Sequence, residues 1–206
     1  MESVDGIVRF ARDYSDDGER ALLSTGEDGL RLMMDSFLGE TDETPEVPWR
    51  PGVEGIDRFN HGLHLLAVQH PEAFIARVEH HPLPFAHQRM MVAISLGEIG
   101  RPGTAHLLCR FLDDDDWLVR LHAVQNIGRL AGERPEPCVG RVLRDNADMV
   151  QLHAIRVVSR WDTASAIAHY ERFLKQGRIV RSRRPAAHLR REAEADLADL
   201  RRGVAR

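Results

Sequence analysis

Several things are missing from this chain of 206 residues. No run of about 18 apolar residues occurs, so no helix of the membrane-spanning kind is expected. The start, Met1-Glu2-Ser3-Val4-Asp5, lacks the basic and apolar stretches of a secretory signal, which predicts a cytoplasmic protein. Cysteine is scarce, with Cys109 and Cys138 alone, and this fits a reducing compartment. Aromatic residues make up only 6%, which gives a nucleic-acid binder few rings to stack on bases. There is no HExxH, no phosphate-binding loop of the GxxxxGK[ST] type and no GxSxG. These absences leave the main hydrolase, nucleotide-binding and zinc-protease chemistries without a signature.

The eleven histidines raise the question of metal. His61 and His64 lie at i, i+3, and His80-His81 precede Pro82, but no third ligand has suitable spacing, so no metal site is expected. Asp113-Asp114-Asp115-Asp116 imitates a calcium loop only in its acidity. Leu118 stands where that loop needs glycine, and Val124 where it needs glutamate. Gly97, Gly100 and Gly103 end a helix rather than follow a strand, so no dinucleotide site is read from them. No cofactor is expected.

What is present is a repeat. Val119-Arg120-Leu121-His122-Ala123-Val124 returns 31 residues later as Val150-Gln151-Leu152-His153-Ala154-Ile155. Leu107-Leu108-Cys109-Arg110-Phe111-Leu112 returns as Cys138-Val139-Gly140-Arg141-Val142-Leu143, and then as His169-Tyr170-Glu171-Arg172-Phe173-Leu174. A fixed period of this size means stacked supersecondary units, each too small to bury its own apolar face. Each unit reads as two helices. Leu107, Leu108, Phe111 and Leu112 form the apolar stripe of the first, and Val119, Ala123, Ile127 and Leu130 that of the second. Gly97, Gly128 and Ser159 occupy one register, where small residues allow a neighbouring helix to approach. Cys138 stands at the core position of Leu107, so a buried free thiol is expected there. Trp161 takes the core position of Leu130, and Trp117 adjoins the acidic turn.

The segment Leu96-Gly97-Glu98-Ile99-Gly100-Arg101-Pro102-Gly103, the helix running to Leu112, the acidic turn and Val119-Arg120 resemble the HEAT-repeat family. The variety is that of the bacterial lyase-like HEAT repeats. The resemblance is clear over about residues 88–176 and fainter over 16–87, where Gly26-Glu27-Asp28-Gly29 precedes Met33, Met34, Phe37 and Leu38. It implies an all-α, right-handed α-solenoid of about five helix pairs with a C-terminal capping helix. On that reading 1–206 is one domain. It holds a degraded first repeat at 1–39, a proline-rich insertion at 40–53, repeats over 54–184 and a terminal helix at 185–203. Residues 54–69 and 71–80 form one pair, and Leu189, Ala193, Leu197 and Leu200 are the apolar face of the cap.

In this family second helices line the concave side. His122, Gln125, Arg129, His153, Arg156 and Arg160 then form a polar patch over two repeats, or simply a solvated helix face. Trp49, in the acidic insertion, is a second candidate contact for a partner, or else a pin for that loop. Charge is uneven. Residues 171–206 carry eleven Arg or Lys against five Asp or Glu, and residues 1–170 carry seventeen against twenty-seven. Only Lys175 in that tail is lysine. Such asymmetry marks either an anionic partner or an arginine-rich solvated end.

Family members are scaffolds, immunity or inhibitor-like binders, and a few enzymes. The iron-dependent hydroxylases of this fold carry His-Glu dipeptides, and none occurs here. The expected function is therefore a non-catalytic module holding a protein partner, away from membranes. The alternative is a nucleic-acid binder or an enzyme similar to the HEAT-like alkylpurine DNA glycosylases. Arg129, Arg156, Arg160, Trp161 and Asp162 would supply its basic face, ring and acid.

Overall fold

In the computed structural model, residues 2–13, 15–39, 53–101, 103–130, 138–176 and 186–203 are described. They are all-helical, with eleven α-helices, two short 3-10 turns and no strand among the described residues. No described helix is long and apolar enough to cross a membrane. The chain divides into two compact units, Met1–Ile99 and Gly100–Arg206.

The first unit holds α1 (Glu2–Arg12), α2 (Asp16–Leu23), α3 (Gly26–Leu38), α4 (Val53–Gln69), α5 (Pro71–His80) and α6 (Ala86–Ile99). Residues 1–39 thus contain three helices where the sequence suggests one degraded pair. The break has a local cause. Ser15 is extended, and its side chain accepts from Asp17 N at 3.2 Å, which starts a new helix just after Arg12. The carbonyls left at the end of α1 are taken by Arg58 of α4. Its Nε and Nη2 donate to Phe10 O at 3.2 Å each, and Nη2 also donates to Asp13 O at 2.8 Å. The same guanidinium lies 3.6 Å over the Phe10 ring, and Arg58 is buried. A cation at a helix C-terminus also suits the helix dipole.

Packing in this unit follows the apolar stripes. Leu30, Met33, Met34, Phe37 and Leu38 of α3 are buried, with Leu63, Leu66 and Ala67 of α4 and Val92, Ala93 and Leu96 of α6. Gly62 allows α4 to close on α1, since a Cβ there would fall 2.5 Å from Phe10 Cε1. Helix α3 ends at Gly39, whose φ of 73° is the left-handed stop that glycine adopts without a steric penalty. Buried Gln88 donates to Phe37 O and takes one of the carbonyls left open at this same C-terminal end.

The second unit holds α7 (Thr104–Arg110), which tightens into a 3-10 turn at Phe111–Asp113, and then α8 (Trp117–Arg129). A 3-10 turn at Val139–Val142, α9 (Asp148–Val158), α10 (Thr163–Lys175) and α11 (Ala186–Arg201) follow. The apolar stripe of α8 is buried as the repeat requires, with Val119, Ala123, Ile127 and Leu130 all at 5% exposure or less. Asp116 caps α8 by accepting from Leu118 N at 2.8 Å, which is the structural use of the acidic turn. Gly128 is needed for packing, since a Cβ there would lie 2.8 Å from Val157 Cγ2 of α9.

Three sequence expectations are corrected here. The first helix of the repeat at Cys138–Leu143 is reduced to a 3-10 turn. Trp161 is half-exposed in a turn rather than in the core, because α9 stops at Val158 and Val157 and Val158 already fill the interior. Cys109 and Cys138 are not free thiols but are joined in a disulfide. Their separation of 29 residues is close to the repeat length, so both fall on the first elements of neighbouring repeats.

A buried ion pair links the repeats of this unit. Arg120 is 8% exposed. It grips Asp145 with two bonds, Nε to Oδ2 at 2.7 Å and Nη2 to Oδ1 at 2.9 Å, while Nη1 donates to Asp114 O at 2.7 Å. One period on, Gln151 does the lesser job of donating to Leu143 O at 3.0 Å. Position 120 in this repeat is therefore a fastener between turns.

Candidate functional site

The patch residues begin as neighbours on two helices. His122 and His153 hold equivalent places on α8 and α9, both half-buried. Gln125 Nε2 and His153 Nε2 lie 3.1 Å apart in a hydrogen bond that spans the two helices. Second helices of successive repeats therefore bring these positions to one face. Arg129, exposed at the end of α8, donates from Nη1 to Asn126 Oδ1 at 3.3 Å, and Asn126 in turn donates to His122 O at 2.8 Å. Arg160 is exposed in the turn after α9.

Arg156 departs from this group. Its Nε donates to Asp196 Oδ2 at 2.7 Å, and its Nη2 to Glu192 Oε2 at 2.8 Å. Tyr170 Oη donates to the same Asp196 oxygen at 3.2 Å. Both acids belong to α11, so this arginine is consumed in fastening the terminal helix to α9. Burial works against the guanidinium charge, but Glu192 and Asp196 outweigh it and hold the pKa above its ordinary value. Burial, with the Asp196 charge beside it, pushes the Tyr170 hydroxyl well up. The expected terminal helix is present, with Leu189 and Ala193 fully buried and Arg190 paired to Glu194 at 3.2 Å.

The other candidates are placed as follows. Trp49 lies outside the described residues. Asp162 is engaged as the N-cap of α10, accepting from Ser165 N at 2.9 Å, which leaves it poorly suited to act as a catalytic acid. His61 pairs with Glu19 at 3.0 Å, and His64 Nδ1 lies 3.3 Å from Ser95 Oγ. Burial, the leading cause, holds the His64 imidazole below its ordinary pKa. Among the described residues, no three His, Cys, Asp or Glu side chains are grouped as metal ligands.

The sequence reading missed the buried carboxylate Asp196. The signal was available, because position 196 follows Leu189 by seven residues and Ala193 by three, inside the apolar stripe of α11. A carboxylate there implies a buried cation facing it.

Compared with known proteins, the chain matches no family model and no curated protein.

Proposed function

We propose that this chain is a non-catalytic binding module built from HEAT-like helix pairs, and that the polar face of α8 and α9 receives a protein partner. The observation that supports it is the Gln125–His153 bond at 3.1 Å, which joins patch positions of two successive repeats into one polar surface. Arg129 and Arg160 stand exposed at the C-terminal ends of the two helices. Guanidinium groups in that setting suit carboxylates of a partner, which they bind in two-pronged fashion. The test is reversal of the two exposed charges. Arg129→Glu with Arg160→Glu should abolish partner capture while leaving the fold intact, since exposed substitutions change stability by about half a kcal/mol or less.

The nucleic-acid reading is separated from this one by titration with duplex DNA at two salt concentrations. A duplex binder loses affinity steeply as salt rises, because phosphate contacts release counterions. On the reading proposed here, duplex DNA shows no saturable binding at either salt concentration.

A further inference from the structure

Both cysteines of the chain are joined in one bond, and the sequence holds no third thiol to exchange with it. Within the chain the pair therefore has two states, closed and open. The two Cα atoms are 5.7 Å apart, inside the usual range for a bridge. Cys138 is 8% exposed, whereas Cys109, near the end of α7, is only half-buried. A small thiol in solution meets the bond from the Cys109 side.

A second, non-covalent link spans the same two residues. Arg141 donates from Nη2 to Cys109 O at 3.1 Å and from Nε to Cys138 O at 3.4 Å. Its Nη1 pairs with Asp113, in the 3-10 turn that continues α7. One guanidinium thus ties the backbones of both cysteines, and none of these bonds needs the disulfide. The segment that carries it is weak by itself. Val139–Val142 is a single 3-10 turn, and Gly140 within it has open space where a side chain would stand. So short an element lies at the low end of local stability, where opening one bond is felt first.

We propose that Cys109 and Cys138 are a reversible thiol–disulfide switch, and that Arg141 is its positioning residue, keeping the two cysteines within bonding reach while the bond is open. The reductant is a solution thiol of the glutathione class. Its thiolate attacks Cys109 Sγ, the S–S bond breaks, and Cys138 leaves as a thiolate. A second thiolate then attacks the glutathione sulfur of the mixed disulfide and releases Cys109. Two glutathiones are oxidised to one glutathione disulfide, and the protons they give up go to the two cysteines. Opening frees the Val139–Val142 turn, which packs against α9. The reverse exchange closes it. The switch lies on first-helix positions and stands or falls independently of the α8 and α9 face.

The test equilibrates the full chain with mixtures of reduced and oxidised glutathione, alkylates the free thiols and counts closed, open and mixed species by mass. The folded chain should close its bond at glutathione ratios that leave the chain open in concentrated urea. Arg141→Gln should lower the closing constant of the folded chain at least about ten-fold, the loss expected for one charge-assisted hydrogen bond, and leave the value in urea unchanged. On reduction, hydrogen exchange should quicken most at the amides of Val139–Val142, while circular dichroism keeps its helical signal. Equal closing constants in the folded and urea-unfolded chain overturn the switch. So does loss of the helical signal on reduction, which makes the bond a structural staple. A closing constant unchanged in Arg141→Gln overturns the part given to Arg141.

Discussion

Arg156 Nε donates to Asp196 Oδ2 at 2.7 Å across 40 residues of sequence, and this bond joins α9 to the terminal helix α11. Asp196 is 5% exposed and also receives the Tyr170 hydroxyl. The pair fastens the end of the second unit and takes one arginine out of the candidate binding face.

Removing the carboxylate should therefore be expensive. Asp196→Ala leaves Arg156 without its nearer partner and Tyr170 without an acceptor. A loss of about 3–5 kcal/mol is expected, as for a buried pair broken on one side. Arg160→Glu, on an exposed arginine, should change stability by about half a kcal/mol or less. Urea denaturation of both variants checks this, and equal small losses would contradict the fastening role.

The close approach at Gly128 gives a second expectation. Gly128→Leu should overpack the contact with Val157 Cγ2 and cost about 1–3 kcal/mol. Val157→Ala in the same chain should recover part of that loss, because the two sites share one contact. Additive losses in the double variant would mean the helices meet elsewhere.

The 31-residue period made α8 legible, because Val119, Ala123, Ile127 and Leu130 all turn inward as spaced. It also located α4 and α5, where expected spans of 54–69 and 71–80 meet helices at Val53–Gln69 and Pro71–His80. Periodicity says which side of a helix is apolar. It does not say which distant charge a polar side chain will find, and so Arg156 looked like a patch residue. Its partner arrives from α11, on a segment outside the repeat. Trp161 misled for a different reason: register predicts burial only while the helix lasts, and α9 ends three residues earlier. Cys109 and Cys138 are 29 residues apart, two short of the period, so they share no register, yet that spacing puts them on neighbouring repeats.

The disulfide should add measurable stability. Closing a loop of 29 residues restricts the unfolded chain by about 3–4 kcal/mol in the chain-entropy account. Thermal melts with and without a strong reductant test this. Cys109→Ser with Cys138→Ser should match the reduced protein, and a Tm insensitive to reductant would contradict the link.

Acid should weaken the fold in a defined window. Burial holds the His64 and His169 imidazoles below the ordinary 6.5, so folding disfavours their protonated forms. Between 6.5 and their lower folded values the unfolded chain binds more protons. Their contribution is complete above about 6.5 and is lost as pH falls through that range. His64→Gln, which keeps a polar group near Ser95, should flatten the fall of Tm below pH 6.5. An unchanged slope would show that His64 titrates alike in both states.

The most direct test of the binding face is quantitative capture from the native host, comparing three immobilised proteins of equal Tm. These are the wild type, Arg129→Glu with Arg160→Glu, and a first-helix control, Arg172→Glu. The account predicts that the same retained protein is bound by the wild type and the control and lost from the α8 and α9 double variant. Retention by the double variant at the wild-type level would contradict it and move the partner to another surface.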